Sequence, residues 1–245
     1  MPPGAARNAV DCALWDLEAK QQGIPAWRAA GLPRLAALVT AYTLSVGTPE
    51  EMRAAALRAA DRPLLKIKLA GDDDAARLAA VRAGAPHATL IVDANEAWRE
   101  DNLAENLALC ARYGVALAEQ PLPAGADTLL ARIDRPVPVC ADESAHDAPG
   151  LAALKDRYDF VNIKLDKTGG LTGALAMARE ARTLGFGIMA GCMVGTSLSM
   201  APAVLIGQMA EFVDLDGPLL LAHDRAPGLV YEGSTMKPPE AALWG

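Results

Sequence analysis

The sequence predicts a (β/α)8 barrel, in which eight parallel strands alternate with helices. Eight short apolar runs recur along the 245 residues, and each is followed by a segment with apolar residues at helical spacing. A polar residue near the end of each run repeats at intervals of 22 to 28 residues, enough for one strand, one helix and two loops. The chain also has the typical length of such a barrel. An open doubly wound sheet is the alternative, but no GxGxxG motif follows the first run.

The predicted strands and helices follow each other in a regular order. The strands are Thr40–Val46, Leu64–Ala70, Thr89–Asn95, Ala116–Pro121, Pro138–Ser144, Phe160–Asp166, Gly187–Cys192 and Phe212–Gly217. A helix over Asn8–Lys20 precedes them, and Gly23 is placed to end it. We expect a single domain with a leading helix in 1–23, eight strand units in 40–217 and a C-terminal extension in 218–245.

Charge and composition exclude several classes of protein. The 30 acidic residues outnumber the 23 basic ones, which argues against nucleic-acid binding, and a hydrophobic content of 52% excludes a disordered chain. The four cysteines are far apart and no secretory signal pattern is present, so we expect a cytoplasmic protein with reduced thiols. The stretch between Arg182 and Glu211 is uncharged, but its glycines and Pro202 predict a buried strand, a turn and a helix rather than a membrane span.

Polar residues occupy the C-terminal ends of six strands that should otherwise be apolar, because a barrel covers both faces of its sheet. They are Lys66 and Lys68, Asp93 and Asn95, Glu119, Asp142, Lys164 and Asp166, and Asp214 and Asp216. Residues at i and i+2 share a face of a strand, so each pair should point the same way and Glu143 should face away from this group. Active sites of such barrels lie at these strand ends, which favours a functional site over charges that merely reach solvent or pair with one another.

The order of residue types indicates the chemistry. Asp93, Glu119 and Asp142 come from three consecutive strands, which lie roughly 5 Å apart in a sheet, so their carboxylates can converge on a hard cation such as Mg²⁺. Lys68 and Lys164 flank this cluster, and nearby positive charge makes a lysine easier to use as a base. The pattern predicts that one lysine removes the proton next to a carboxylate and the other returns a proton.

The motifs that carry these residues resemble the muconate-lactonizing subgroup of the enolase superfamily, and within it the dipeptide epimerases. They are LLKIKLAG, IVDANEAW, AEQPLP, ADES, VNIKLDKTGGL and DLDGPLLL. The resemblance extends over nearly the whole chain and implies the (β/α)7β variant of the barrel. It also implies an isomerase that moves a proton at the carbon α to a carboxylate of a dipeptide through a metal-stabilised enolate.

The resemblance assigns roles to individual residues. It implies that Asp93, Glu119 and Asp142 hold one Mg²⁺ per subunit and that Lys68 and Lys164 are the two acid/bases. The implied substrate contacts are Lys66 at the carboxylate, Asp214 and Asp216 at the α-ammonium, and Thr43, Cys192 and Met193. Asn95 and Ser144 are expected to orient the carboxylates.

Other functions remain open at this point. Within the subgroup these are a muconate cycloisomerase, an o-succinylbenzoate synthase or an N-acyl amino acid racemase, and outside it a Schiff-base aldolase that uses Lys164. Family members carry an α+β capping domain before the barrel, and we expect it to be absent here, which adds a catalytically impaired barrel to the alternatives. The expected partner is a dipeptide or N-acyl amino acid, without nucleic acid or membrane, and a homo-oligomer stays open.

Overall fold

The structure, a computed structural model, describes residues 1–245 and contains eleven strands in two sheets. The strands in chain order are β1 Leu38–Val39, β2 Tyr42–Leu44, β3 Leu64–Lys68, β4 Thr89–Asp93, β5 Val115–Glu119, β6 Val139–Ala141, β7 Phe160–Ile163, β8 Gly187–Ala190, β9 Phe212–Val213, β10 Tyr231–Glu232 and β11 Thr235–Met236. Strands β2 to β9 form a parallel sheet in which each strand is hydrogen-bonded to the next along the chain, as a barrel of this class requires. Strands β1, β11 and β10 form a small antiparallel sheet.

Helical segments separate the strands of the parallel sheet. The α-helices are α1 Ala5–Gln22, α2 Ala26–Ala29, α3 Pro49–Arg58, α4 Asp74–Gly84, α5 Leu103–Arg112, α6 Leu165–Thr168, α7 Leu171–Leu184 and α8 Ser197–Gly207. Strands β5 and β6 are followed by short 3-10 turns instead, over Thr128–Ala131 and Leu151–Leu154. The alternation predicted from the sequence is confirmed, except that the connections after β5 and β6 contain a 3-10 turn in place of an α-helix.

All eight predicted strands are present, and each ends earlier than the sequence suggested. Strand β7 ends at Ile163 because α6 begins at Leu165, and β6 ends at Ala141. Three of the polar residues predicted at strand ends, Asp142, Lys164 and Asp214, therefore directly follow their strands instead of lying within them. The uncharged stretch contains β8 and α8, as predicted, and no helix has the length and apolar character needed to cross a membrane.

Two compact units are distinguished by the contacts within the chain. One comprises 1–40, 146–152 and 162–245, and contains α1, α6 to α8, β8, β9 and the small sheet. The other comprises 41–145 and 153–161, and contains β2 to β6 with α3 to α5. In the second unit the strands are buried on both faces, with Leu65, Ile67 and Leu90 fully enclosed, which explains their apolar sequences.

Local sequence signals explain where two of the helices begin and end. Thr48 caps α3, because its side chain accepts from Glu51 N at 3.2 Å while Glu51 Oε2 accepts from Thr48 N at 2.9 Å. Helix α1 ends at Gly23, which has a φ of 65° in the left-handed region that glycine adopts without strain. The outer face of α1 is apolar and exposed, including Leu14 and Leu17.

Asp74 is the main polar anchor at the start of α4. Its carboxylate accepts from Trp98 Nε1 at 2.9 Å and from the backbone N–H groups of Ala70 at 3.2 Å and Gly71 at 3.0 Å. Replacing Asp74 by alanine leaves these donors without an acceptor, so the free energy of unfolding should fall by about 2–4 kcal/mol in urea titrations. The neighbouring Asp72→Ala serves as control and should change it by less than about 0.5 kcal/mol. Equal effects of the two substitutions would contradict the anchoring role.

Candidate active site

The ends of β4, β5 and β6 place three buried carboxylates in neighbouring positions of the second unit. Asp93 is the last residue of β4 and Glu119 the last of β5, and the two are Cα partners in the parallel register. Glu119 is in turn the partner of Cys140 in β6, and Asp142 directly follows that strand. All three carboxylates are buried. Parallel pairing therefore places the acidic residues of three consecutive strands along the same edge of the sheet.

The ammonium of Lys66 lies between two of these carboxylates. Its Nζ is 3.0 Å from Asp93 Oδ2 and 2.8 Å from Glu119 Oε2, and the three side chains are exposed by 3% or less. Buried charges of this kind are costly unless each is compensated by a partner. One ammonium serves both carboxylates here, so the trio as a whole keeps a negative charge when all three groups are ionised.

Lys68 lies two residues further along β3 and is partly exposed. Its Nζ donates to Asp93 Oδ2 at 2.7 Å and to Asn95 Oδ1 at 2.8 Å. Burial raises the pKa of Asp93, but the charges and hydrogen bonds of Lys66 and Lys68 outweigh burial and hold that pKa below its usual range. Asp93 is therefore ionised at neutral pH, and two oxygen acceptors fix the direction of the Lys68 amine.

Asn95 contacts Glu143, a carboxylate that the sequence analysis expected to face away from this group. Its backbone N–H donates to Asp93 Oδ1 at 3.0 Å, and its Nδ2 donates to Glu143 Oε1 at 3.3 Å. Burial and the negative charges of Asp142 and Asp93 raise the pKa of Glu143 above its usual value. The prediction that Glu143 faces away from the polar group was wrong, because β6 ends at Ala141 and the alternation of a strand no longer applies beyond it.

Ser144, which was expected to orient a carboxylate of the site, contacts a buried network beside the end of β6. Its backbone N–H donates to Gln120 Oε1 at 3.1 Å and its Oγ donates to Asp127 Oδ2 at 2.7 Å. The phenol of Tyr158 donates to the same Asp127 oxygen at 2.6 Å, and the guanidinium of Arg157 donates to the other one. Sequence reasoning missed the partners of Ser144 because they lie outside the regular helices and strands, where no period places a side chain.

The Asp127 carboxylate should make the stability of the chain depend on pH. Burial raises its pKa, but hydrogen bonds from Tyr158 and Ser144 and the charge of Arg157 bring the pKa below its usual range. The folded chain then binds fewer protons than the unfolded one. Asp127 therefore stabilises the fold above about pH 4, and this contribution is lost as the pH falls through the lower folded pKa.

Denaturant unfolding of the unaltered chain and of Asp127→Asn over an acid pH series tests this dependence. We expect the free energy of unfolding of the unaltered chain to fall more steeply below about pH 4, because only it carries the ionisable group at this position. The other carboxylates are common to both proteins and cancel in the comparison. Two parallel pH profiles would show that Asp127 does not titrate in this way.

Lys164, Asp214 and Asp216 belong to the first unit. Lys164 directly follows β7, occupies the N-cap position of α6 and is buried. Asp214 and Asp216 follow β9 and are also buried, and the backbone N–H of Asp214 donates to Ala190 O at 2.8 Å. Lys164 and Asp214 thus directly follow strands of their unit, as the sequence predicted. Asp216 lies three residues past β9, at the start of the 3-10 turn Gly217–Leu220, so the expectation that Asp214 and Asp216 share a strand face was wrong.

Cys192 and Met193, two of the implied substrate contacts, directly follow β8 and Gly191. Cys192 is half-buried and Met193 is 49% exposed. A Cβ at Gly191 would lie 2.3 Å from Asn162 Oδ1, so only glycine fits against the neighbouring strand there. Thr43 lies in β2 of the second unit, where it is half-buried.

Asp166 does not share a strand face with Lys164, as the sequence had suggested. It lies in α6, because the chain leaves the strand conformation after Ile163. Its Oδ1 accepts from Asn8 Nδ2 at 3.1 Å, which ties α6 to α1. The grouping of Asp166 with the strand-end residues was therefore wrong, and the residue has a structural contact instead.

Two family profiles match the chain. Residues 51–242 match the profile described as "Enolase C-terminal domain-like". The chain belongs to the enolase superfamily. Residues 1–31, which contain α1, match the profile described as "Mandelate racemase / muconate lactonizing enzyme, N-terminal domain". Membership of this superfamily confirms the resemblance that the strand-end motifs indicated.

Curated members of the superfamily resemble the chain closely. An N-acetyl-D-glutamate racemase of a Pseudoalteromonas species is 49% identical over 245 residues, which cover 100% of this chain and 78% of that protein. An L-Ala-D/L-Glu epimerase of Escherichia coli K12 is also 49% identical, over 94% of this chain and 73% of its own length. Both are isomerases of amino acid derivatives, which confirms the predicted enzyme class.

Solved structures confirm the fold. An enolase family member from Agrobacterium tumefaciens with homology to dipeptide epimerases, with bound sodium and L-Ala-L-Glu, is 61% identical and superposes with a TM-score of 0.98 over 100% of this chain and 75% of its own. A dipeptide epimerase from Methylococcus capsulatus, complexed with Mg and the dipeptide L-Arg-D-Lys, is 32% identical and superposes with a TM-score of 0.87 over 97% of this chain and 71% of its own.

Proposed function

We propose that the chain is a Mg²⁺-dependent epimerase that acts on a dipeptide of the L-Ala-D/L-Glu type by 1,1-proton transfer. The observation that carries the proposal is the placement of Lys66 and Lys68 against the carboxylates of Asp93 and Glu119 at adjacent strand ends. The epimerase name of the E. coli relative and the L-Ala-L-Glu bound in the A. tumefaciens structure support the choice of substrate.

The donor set fits a hard divalent cation. Asp93, Glu119 and Asp142 offer only oxygen donors and are buried at consecutive strand ends, which is the ligand chemistry that Mg²⁺ prefers. In this structure the three are not gathered into a ready-made metal cluster, and Lys66 provides the positive charge between two of them. We expect these three residues to hold Mg²⁺. When bound, it would stabilise the negative charge that develops on the substrate carboxylate.

The surroundings of Lys68 suit a base that removes the α-proton. A neutral amine has two N–H bonds and one lone pair. Asp93 Oδ2 and Asn95 Oδ1 accept from Lys68 Nζ, so both N–H bonds of the neutral amine have an acceptor and its lone pair is left to take the proton from carbon. Asn95 thus orients the proposed base as well as bonding to Asp93.

Lys164 is proposed to return a proton to the opposite face of the α-carbon. Lys164 directly follows β7 and is buried. Active-site residues of such barrels lie at these strand ends. Asp214 and Asp216 are proposed to pair with the α-ammonium of the dipeptide, since carboxylates close to a strand end can compensate a buried positive charge. Lys66, Thr43, Cys192 and Met193 remain proposed substrate contacts.

A second candidate is an N-acyl amino acid racemase. It is favoured by the N-acetyl-D-glutamate racemase, which matches the chain as well as the E. coli epimerase does. The two substrates share a glutamate whose α-proton moves, but only the dipeptide carries an ammonium group on its N-terminal residue. Recognition of that ammonium is therefore the chemical difference between the two functions.

Parallel assays with L-Ala-L-Glu and N-acetyl-L-glutamate in the presence of Mg²⁺ separate these candidates. We expect the higher kcat/KM with the dipeptide, and a selective loss of dipeptide turnover in Asp214→Asn because that variant loses a negative charge facing the ammonium. A higher kcat/KM with N-acetyl-L-glutamate, retained in Asp214→Asn, would favour the racemase. If a folded, Mg²⁺-binding chain turns over neither substrate, both the epimerase and the racemase function are contradicted.

A further inference from the structure

Gln120 holds the backbone on either side of Glu143. Its Oε1 accepts from the backbone N–H of Asp142 at 2.8 Å and from that of Ser144 at 3.1 Å. The side chain is fully buried, directly after β5. One amide oxygen therefore anchors the loop that carries the Asp142 carboxylate. Both contacts come from backbone N–H groups, so they do not depend on the side chains at positions 142 and 144.

The orientation of the Gln120 amide is determined by its neighbours. Its Nε2 donates to the carbonyl oxygen of Leu122 at 2.8 Å, and a carbonyl can only accept. The backbone N–H groups on the other side can only donate, so the oxygen has to face Asp142 and the nitrogen has to face away. Gln120 also adopts a φ of +34°, in the left-handed region that a bulky residue keeps only where its surroundings hold it.

The Asp127 carboxylate fixes the remaining partners of that amide. Tyr158 Oη and Ser144 Oγ both donate their hydrogen to Asp127 Oδ2, so their lone pairs can accept from Gln120 Nε2, which is 2.9 and 3.0 Å away. The amide nitrogen has two hydrogens, which these two hydroxyl groups and the Leu122 carbonyl share. The hydrogen bonds therefore run in one direction, from the Gln120 amide through two hydroxyl groups to one buried carboxylate oxygen. This directed chain cannot be reversed without leaving a donor facing a donor.

We propose that Gln120 is a positioning residue for the metal site, since it sets the place of the Asp142 carboxylate through the backbone of residues 142 and 144. The inference rests on the proposed role of Asp142 as a Mg²⁺ ligand. Asp127 and Tyr158 act one step further away, by keeping the Gln120 amide in the orientation that holds this backbone. Groups that orient metal ligands in this way typically change metal affinity by about 10- to 100-fold when they are removed.

Calorimetric titration of Mg²⁺ into the chain and its variants tests the proposal without an activity assay. Gln120→Met keeps a side chain of similar length but loses every hydrogen bond of the amide, and its Kd for Mg²⁺ should rise about 10- to 100-fold. Tyr158→Phe removes a single hydroxyl group and should raise the Kd less, in the same direction. Circular dichroism establishes that each variant is folded.

Arg82→Met is the control for a loss of partly buried hydrogen bonds elsewhere in the same unit. Arg82 donates to the carbonyl of Tyr113 at 2.9 Å and to that of Ala88 at 2.7 Å, at the N-terminal ends of β5 and β4. Its replacement should lower Tm without changing the Kd for Mg²⁺. If Gln120→Met lowers Tm in the same way and leaves the Kd unchanged, the network is purely structural and the proposal is overturned. Should Gln120→Met fail to fold, an unchanged Kd in Tyr158→Phe overturns it.

Asp142→Asn separates this proposal from the proposed function. A higher Kd in Asp142→Asn together with a higher Kd in Gln120→Met supports both. A higher Kd in Asp142→Asn alone overturns the role of Gln120 and leaves the metal site in place. If Asp142→Asn binds Mg²⁺ with the same Kd as the unaltered chain, the assignment of Asp142 as a metal ligand fails, and the positioning role of Gln120 fails with it.

Discussion

Replacing either Lys68 or Lys164 by alanine should abolish epimerisation of L-Ala-L-Glu to within detection, a loss of at least about 10²- to 10⁴-fold. Each lysine is proposed to serve one face of the α-carbon, so a single variant cannot complete the inversion. It should still exchange the α-proton of one enantiomer of the glutamate residue with solvent, because the remaining lysine can remove and return a proton on its own face. Proton NMR in deuterated buffer follows both reactions at once.

Lys155→Ala is the control for this pair, because Lys155 is an exposed lysine outside the proposed site. It should leave the rate of epimerisation unchanged. The Lys68→Ala and Lys164→Ala variants should differ in which enantiomer exchanges its α-proton, one enantiomer in the first variant and the other enantiomer in the second. Exchange of both enantiomers in both variants would disprove the assignment of one lysine to each face.

The second large effect is expected at Lys66. Its ammonium compensates Asp93 and Glu119 at distances of 3.0 and 2.8 Å in a site that is almost fully enclosed. Lys66→Met leaves these carboxylates without their shared cation, so the free energy of unfolding in the presence of EDTA should fall by about 3–5 kcal/mol. Mg²⁺ should restore part of that loss, because a bound cation supplies the missing positive charge and stabilises the folded state by mass action. Urea unfolding with and without Mg²⁺ measures both effects.

Lys20→Met provides the comparison for an exposed ion pair. Lys20 pairs with Asp16 on α1, where the two side chains are 47% and 25% exposed, so its loss should cost no more than about 1 kcal/mol and should not respond to Mg²⁺. If Lys66→Met is no less stable than Lys20→Met, the buried lysine does not compensate the carboxylates. A loss at Lys66 that Mg²⁺ does not relieve would contradict cation binding at these residues.

The parts of the site that lie within strands could be predicted from the sequence. The alternation of side chains placed Lys66 and Lys68 on one face of β3, and both indeed contact Asp93. The regular spacing of the strands placed Asp93 and Glu119 at neighbouring strand ends, where the structure pairs them. These predictions succeeded because a parallel sheet imposes a fixed period on both the side chains and the connections.

The same reasoning failed where the chain leaves the strand. Asp166 and Glu143 were placed by alternation, but α6 begins at Leu165 and β6 ends at Ala141, so both side chains take directions that a strand does not allow. The partners of Gln120 were not foreseen for a related reason. Asp127 comes from a loop before a 3-10 turn, so its approach to the end of β6 depends on tertiary packing and not on a repeating pattern.

The most direct test of the two-lysine site is the fate of the glutamate α-proton when the unaltered chain acts on L-Ala-L-Glu in deuterated buffer with Mg²⁺. Proton NMR should show the α-proton signal disappearing as L-Ala-D-Glu forms, with deuterium at the α-carbon of the product, and no reaction when EDTA removes the metal. A folded, Mg²⁺-binding chain that exchanges no α-proton, or one whose product retains the original proton, would contradict proton transfer between two lysines on opposite faces.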